Sequence, residues 1–301
     1  MRDVVALSLA DPADAGTVRV PVRAFADALA AAGVEVDPVT ATADAGIDPV
    51  LARLDAPARP DGLAWPDPDA PTRLVVAVAA DGQLRAVVRR MIRRWAPPPS
   101  RRPADLPERR TVPDLPPVAV LPLGPAGGEA GDLAARLGLP REPAAVAAAV
   151  RGGQVRRLDL LRSDTGTVVL DGSLVGGVDA AGRAVPWRAR VEVDEAVLSA
   201  GQEPLLAAVV TNAGGYARLD ELPLVTAADP ADGVLDVAVA VPVRHGWRRR
   251  VRVEVRRARG RAATIRPVVG PVACLDDGVA GELTRQRSWW VEPAAWGVYT
   301  G

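Results

Sequence analysis

The residues of this sequence best suited to chemistry are carboxylates beside glycine. Asp81-Gly82 follows the apolar run Arg73–Ala79, Asp232-Gly233 precedes Val234–Val241, and Asp276-Asp277-Gly278 separates Val272–Leu275 from Val279–Leu283. A fourth group is the stretch Gly124–Gly131, with Gly127 and Gly128 inside it and Asp132 directly after it. A carboxylate at the end of a strand can accept a proton or help hold a divalent cation. A glycine-rich loop that opens a helix can hold an anion on its backbone N–H groups. The same dipeptides also make tight turns. By the residues alone, Asp276-Asp277-Gly278 reads first as a hairpin turn and Asp232-Gly233 as a turn, and Asp81-Gly82 reads equally well as a strand-to-helix turn.

Composition removes several alternatives. The chain has 301 residues, 49% hydrophobic and 25% charged, with 37 basic and 37 acidic side chains and a formal net charge of +0. That balance argues against gripping nucleic acid by bulk charge, and an aromatic content of 3% argues against a base-stacking platform. One cysteine, Cys274, excludes an internal disulfide and a cysteine metal cluster. One histidine, His245, excludes a His-pair zinc site. Both residues read as structural. Every basic residue counted is arginine, so mechanisms that need a lysine are excluded. No apolar run reaches the roughly 20 residues of a transmembrane helix, and Met1–Val5 does not open a secretory signal. The expected location is the cytoplasm, with peripheral contact at the inner membrane face left open.

The elements that must position these groups change character along the chain. The first half alternates strand and helix: Val4–Leu9, a helix over Val18–Ala32, Val34–Val39, Arg73–Ala79, a helix over Leu84–Trp95, then Val118–Leu121. Leu84, Val87, Val88, Met91, Ile92 and Trp95 make one apolar stripe. The opposite face carries Arg85, Arg89, Arg90, Arg93 and Arg94, a solvated face that could also meet anionic lipid headgroups. From Leu158 onward the period is mostly two, with Gly, Asp and Asn at the turns. The expected organisation is an α/β domain with a parallel sheet over 1–145, a β-rich sandwich over 146–285 and a tail over 286–301. A Pro/Arg-rich, mobile connector is expected over 96–117. The tail, with Trp289, Trp290 and Trp296, packs on the last strands or back on the first domain. No internal repeat is evident.

Three stretches in order resemble the diacylglycerol kinase catalytic-domain family, the bacterial lipid kinases related to sphingosine and NAD kinases. They are V-V-A-V-A-A-D-G-Q-L-R-A-V-V at Val75–Val88, L-P-L-G followed by G-D-L-A-A-R-L-G-L-P at Leu121–Pro140, and A-A-D-P-A-D-G-V-L-D-V at Ala227–Val237. Val209-Val210-Thr211-Asn212 is similar to the family strand that ends in Asn. The resemblance implies an NAD kinase/diacylglycerol kinase-like fold and ATP- and Mg²⁺-dependent phosphorylation of a lipid hydroxyl, with nucleotide on the first domain and lipid on the second. It implies that Asp81, Gly82, Gly124, Gly127, Gly128, Gly131 and Asp132 face the nucleotide, that Asp277 is the base, and that Asp236 helps a structural cation. Phosphoryl transfer needs positioning and charge neutralisation more than covalent help.

The sequence also departs from that pattern. Ala79-Ala80 stand where the family has a glycine pair, and a left-handed Ala there would cost about 1–2 kcal/mol. Gln83 replaces a Thr, and Val279 replaces the Glu of the late Asp-Gly-Glu motif. Asp11-Pro12-Ala13-Asp14-Ala15-Gly16 carries carboxylates where the family loop has Asn and Ser, and Leu170–Arg190 is short for a lipid pocket. Two readings therefore stand: an ATP-dependent lipid kinase, or a catalytically degenerate member that acts as a binding or regulatory protein. Partners would be a lipid substrate or an anionic membrane surface, not nucleic acid. Open sheet edges allow a homodimer.

Overall fold

The computed structural model describes residues 3–10, 18–124, 132–219, 222–245 and 250–301. The chain divides into two units, Met1–Leu158 with Ala294–Gly301, and Asp159–Pro293. A break at 145/146 would cut a helix whose Val146, Ala147 and Val150 are buried in the first unit.

In the first unit the order is β1 (Asp3–Leu9), α1 (Val20–Ala30), β2 (Val36–Ala41), α2 (Asp44–Ala52), β3 (Thr72–Val78), α3 (Asp81–Trp95), β4 (Val118–Pro122), α4 (Leu133–Arg136) and α5 (Pro143–Gly152). The four strands are parallel, in the order β4-β3-β1-β2. Val4, Ala6, Val75, Ala77, Ala119 and Leu121 face α1 and α5, which bring Val22, Phe25, Leu29, Val146 and Val150 to one core. Alternate residues Val5, Leu7, Leu74 and Val76 are buried on the other face. There α2 and α3 pack on the sheet and on each other. The central strands β1, β3 and β4 are mostly apolar because both their faces are covered, whereas the edge strand β2 carries Asp37 and Thr40. All six residues of the α3 stripe are buried, each stabilising the fold by about 1.5–3 kcal/mol relative to exposure.

The arginine face of α3 is not a bare cationic surface. Arg89 pairs with Asp44 at 2.6 Å, Arg90 pairs with Asp48, and Arg94 pairs with Asp55. Asp55 also accepts the Trp95 indole N–H at 2.9 Å. Helix α2, which periodicity does not announce, supplies two of the three acids, and Asp55 follows just after it. The 96–117 connector is not loose along its length either. Val112 and Leu115 are fully buried, and the Leu115 N–H donates to the Ala295 carbonyl at 2.8 Å.

The second unit is β-rich. Strand β5 (Val155–Ser163) leads into it, followed by β6 (Val168–Val169), β7 (Gly172–Val175), β8 (Gly177–Val178), β9 (Ala184–Val185), β10 (Ala189–Val193), β11 (Ala196–Ala200), β12 (Ala207–Thr211), β13 (Arg218–Leu219) and β14 (Leu222–Pro223). The remaining strands are β15 (Leu235–His245), β16 (Arg250–Gly260), β17 (Ala262–Pro267), β18 (Val272–Asp276), β19 (Val279–Leu283) and β20 (Arg287–Tyr299). One sheet runs β16-β15-β12-β7-β18-β19. A second layer pairs β11 with β10, β10 with β17, and β17 with the first residues of β20. Inward residues of both layers, including Val175, Val191, Val210, Val239, Ile265 and Trp289, form one core. The last residues of β20 belong to the first unit, where Val298 pairs with Val118 of β4.

Burial acts to raise the proton affinity of Asp55, but the Arg94 guanidinium and Trp95 indole outweigh it and hold this carboxyl below its usual range. Its stabilising contribution is therefore full above the unfolded carboxylate pKa of about 3.9 and disappears as pH falls through the lower folded value. Asp55→Ala is expected to cost roughly 1–2 kcal/mol at pH 7. Denaturant melts across pH should show the gap between wild type and variant closing only in strong acid.

Candidate functional site

Strand order fixes where a ligand can enter the first unit. From β1 the chain passes through α1 to β2 on one side, and from β3 through α3 to β4 on the other. Neighbouring strands β1 and β3 thus send their connections in opposite directions, and in such sheets the opening lies beyond their carboxyl ends. A cleft of about 320 Å³ lies there, lined by Leu9, Ala10, Arg19, Ala41, Thr42, Asp44, Gly82 and Gln83 among others. Its volume is at the lower end of the roughly 300–1,000 Å³ range of small-molecule sites.

The turn after β3 does not carry the strain expected of it. Ala80 has φ −153° and ψ 152°, ordinary extended backbone, and Ala79 is not among the residues with positive φ. Alanine fits both positions without a left-handed conformation. Gln83, in the first turn of α3, folds back over this turn. Its Oε1 accepts the Ala79 N–H at 2.7 Å and its Nε2 donates to the Leu9 carbonyl at 3.2 Å.

Asp81 turns toward α4. Its two oxygens accept the Leu133 N–H at 3.1 and 3.0 Å, and Arg136 lies 3.1 Å from Oδ2. Burial pushes its carboxyl up, against the pull of the Leu133 amide and the Arg136 guanidinium. Asp132 caps α4 by accepting the Ala135 N–H at 2.9 Å and pairs with Arg141. Burial would raise Asp132, but Arg141 and the amide outweigh it and hold the carboxyl low. Arg141 also donates to the Gly124 carbonyl at 3.3 Å. Gly82 lines the cleft. Gly127, Gly128 and Gly131 lie outside the described residues.

In the second unit Asp277 sits in the two-residue turn joining β18 and β19, with φ 49° at Asp277 and 77° at Gly278. Two positive φ values make this the turn that suits the twist of a hairpin. The carboxylate is buried. Its Oδ2 accepts the Leu170 N–H at 2.9 Å, and its Oδ1 accepts the Asp171 and Gly172 N–H groups at 2.9 and 3.2 Å. Neighbouring Asp276 accepts the Ser173 hydroxyl at 2.6 Å and meets Arg287 at 3.2 Å. The Tyr216 ring lies flat on Gly172, where a Cβ would come within 2.3 Å of Cδ1, and its hydroxyl donates to the Leu275 carbonyl at 2.9 Å. Burial first, then the charge of Asp277, pushes the Tyr216 hydroxyl far above its usual range. Asn212 donates to the Asp159 carbonyl at 2.8 Å.

Asp236, the expected metal residue, lies 3.1 Å from the Arg259 Nε. Burial raises its carboxyl, with Arg259 opposing. Among the described residues no cluster of three His, Cys, Asp or Glu side chains is arranged to hold a metal ion. Sequence reasoning finds Asp81, Asp132 and Asp277 and marks Gln83 as a departure, but misses the bridging role of Gln83, the partners Arg136, Arg141 and Leu170, and Tyr216. Arg136 and Leu170 are far in sequence from the acids they serve, whereas Arg141 lies nine residues from Asp132 and Gln83 four from Ala79.

The sequence model of the diacylglycerol kinase catalytic domain matches residues 13–163, half of the chain. The chain belongs to that family. A crystal structure of a diacylglycerol kinase from Bacillus anthracis strain Sterne is similar with a TM-score of 0.63 and 13% identity, over 100% of this chain and 97% of that one. A second structure from the same strain, of a protein provisionally named a diacylglycerol kinase, gives 0.64 and 14%, over 100% and 98%. A search of curated proteins finds no match. The fold is thus that of the family, an α/β unit followed by a β-rich unit. The family uses ATP and Mg²⁺ in general, so the described residues can be tested for fit. The cleft has room for a small ligand, but Gln83 takes up the Ala79 N–H and the Leu9 carbonyl at its edge. The carboxylates Asp81, Asp277 and Asp236 hold amides or guanidinium groups and do not fit a divalent cation.

Asp277→Ala would leave three buried N–H groups without their acceptor, at roughly 1–3 kcal/mol each before relaxation. Asp277→Asn keeps one acceptor oxygen and a residue that favours this turn, so it should lose clearly less. Urea melts of the two variants against wild type read the difference. Equal stability of Asp277→Ala and wild type would show that the carboxylate does not hold the Leu170–Gly172 backbone.

Proposed function

We propose that this chain is a lipid-kinase family member that does not itself transfer phosphate and that acts as a binding or regulatory protein. One observation carries the reading: Asp277, which the resemblance makes the base, and Asp81, which it turns to the nucleotide, are both committed to the protein's own backbone. Asp277 accepts the amides of Leu170, Asp171 and Gly172, and Asp81 accepts that of Leu133 beside Arg136. A general base must have a lone pair directed at the proton it takes. Turning either carboxylate toward a substrate strands the donors it now satisfies. Val279 in place of the motif's Glu and the Arg259 guanidinium beside Asp236 support the same reading.

A second reading has one specific observation in its favour. Burial raises the proton affinity of the Asp81 carboxyl, the direction a general base requires. On that reading the chain phosphorylates a lipid hydroxyl with ATP, and Asp81 takes the proton. Neither reading requires a membrane-spanning segment, and among the described residues no helix is long and apolar enough to cross a bilayer.

The two are separated by incubating the purified chain with radiolabelled Mg-ATP and diacylglycerol in mixed micelles. The non-catalytic reading expects no labelled lipid above the protein-free control. It also expects no thermal shift in millimolar Mg-ATP, where a ligand at 100 times its Kd would add about 2.7 kcal/mol. Labelled lipid that is lost in Asp81→Asn, with the fold intact by circular dichroism, would overturn it in favour of the kinase.

A further inference from the structure

We infer that Gln83 is a built-in stopper that turns phosphate away from the cleft at the carboxyl edge of the first unit. The inference rests on the non-catalytic reading above and gives one reason for it. A phosphate entering a sheet of this order would approach between the carboxyl ends of β1 and β3, where connections diverge and the first turn of a helix presents N–H groups. Gln83 already bridges those two ends. Its carbonyl takes the N–H of Ala79, the residue after β3, and its amide nitrogen holds the carbonyl of Leu9, the last residue of β1.

The chemistry of the carboxamide is matched to that place. An anion could accept from Ala79 but would be repelled by the Leu9 carbonyl, whereas a neutral amide satisfies a donor and an acceptor together. Gln83 reaches this position without strain because it is in the first turn of α3, from which Gln side chains commonly bend back to the preceding backbone. A shorter Thr at 83 could not span the two strand ends. The same side chain lines the cleft beside Gly82, so its removal enlarges the space available to a ligand. Asp44, at the same cleft, is held by Arg89, and Arg19 is the cation among the described lining residues that could meet an anion once Gln83 is shortened.

The test compares full-length wild type with Gln83→Thr, Gln83→Ala and Gln83→Glu by calorimetric titration with ADP, inorganic phosphate and adenosine. The stopper expects ADP and phosphate to bind at least tenfold more tightly to the Thr and Ala variants than to wild type. It expects adenosine to change less than threefold and the Glu variant to gain nothing. If Gln83 only capped α3, the Thr and Ala variants would melt earlier with ADP affinity unchanged. Unchanged ADP affinity in both folded variants, including no binding by any of the proteins, overturns the stopper. So does a gain that is equal for adenosine. Lipid phosphorylation by wild type would overturn the non-catalytic reading instead, while the affinities of the variants still decide the stopper by themselves.

Discussion

A carboxylate removed from water must be given hydrogen-bond donors, and in this protein the donors come from its own backbone and its own arginines. That constraint organises both units. Asp277 gathers the amides of Leu170, Asp171 and Gly172 and so ties the β18–β19 turn to the chain leading into β7. Asp81 gathers the Leu133 amide and ties the start of α3 to the start of α4. Asp194, though exposed, makes a similar tie by accepting the N–H groups of Arg261 and Ala262 at 3.0 Å each. In each case the acid sits at a strand or helix end, where the backbone has donors that secondary structure leaves over.

The same constraint explains how a family fold persists while its motifs change. A loop that grips a ligand needs side-chain groups free to turn outward. A loop that is merely stable needs those groups turned inward. Replacing the glycine pair by Ala79-Ala80 introduced no backbone strain, since both residues lie outside the left-handed region. Replacing Thr by Gln83 gave the turn an internal bridge. Placing Arg259 beside Asp236 put a fixed cation where an acid at a β-strand would otherwise face burial alone.

Much of the architecture was legible from periodicity. The stripe Leu84 to Trp95 and the mostly apolar runs Val4–Leu9 and Arg73–Ala79 announce a layered α/β unit, because burial on one face or both leaves that pattern in sequence. The turns at Asp277-Gly278 and Gly233 were legible as well, because positive φ restricts residue type. Helix α2 was not, since its Ile47, Val50 and Leu51 are interrupted by Gly46 and Pro49 and its acids gain meaning only opposite α3. At the candidate site the acids could be picked out but their employment could not. Asp277 reaches Leu170 across 107 positions and Asp81 reaches Leu133 across 52, distances at which no local pattern speaks. The resemblance supplied candidates, and only the hydrogen bonds say which of them are engaged.

The seam between α2 and α3 has a consequence of its own. Arg90 and Arg94 each grip an aspartate through Nε and one terminal nitrogen, so the contact is a two-pronged clasp rather than a point charge. Lysine offers no such second prong. The clasps fix how α3 lies against α2 and the residues just after it, since a one-residue slide would bring each fork to a side chain without matching oxygens. A guanidinium keeps its proton far beyond pH 10, so alkaline solution has no handle on this joint.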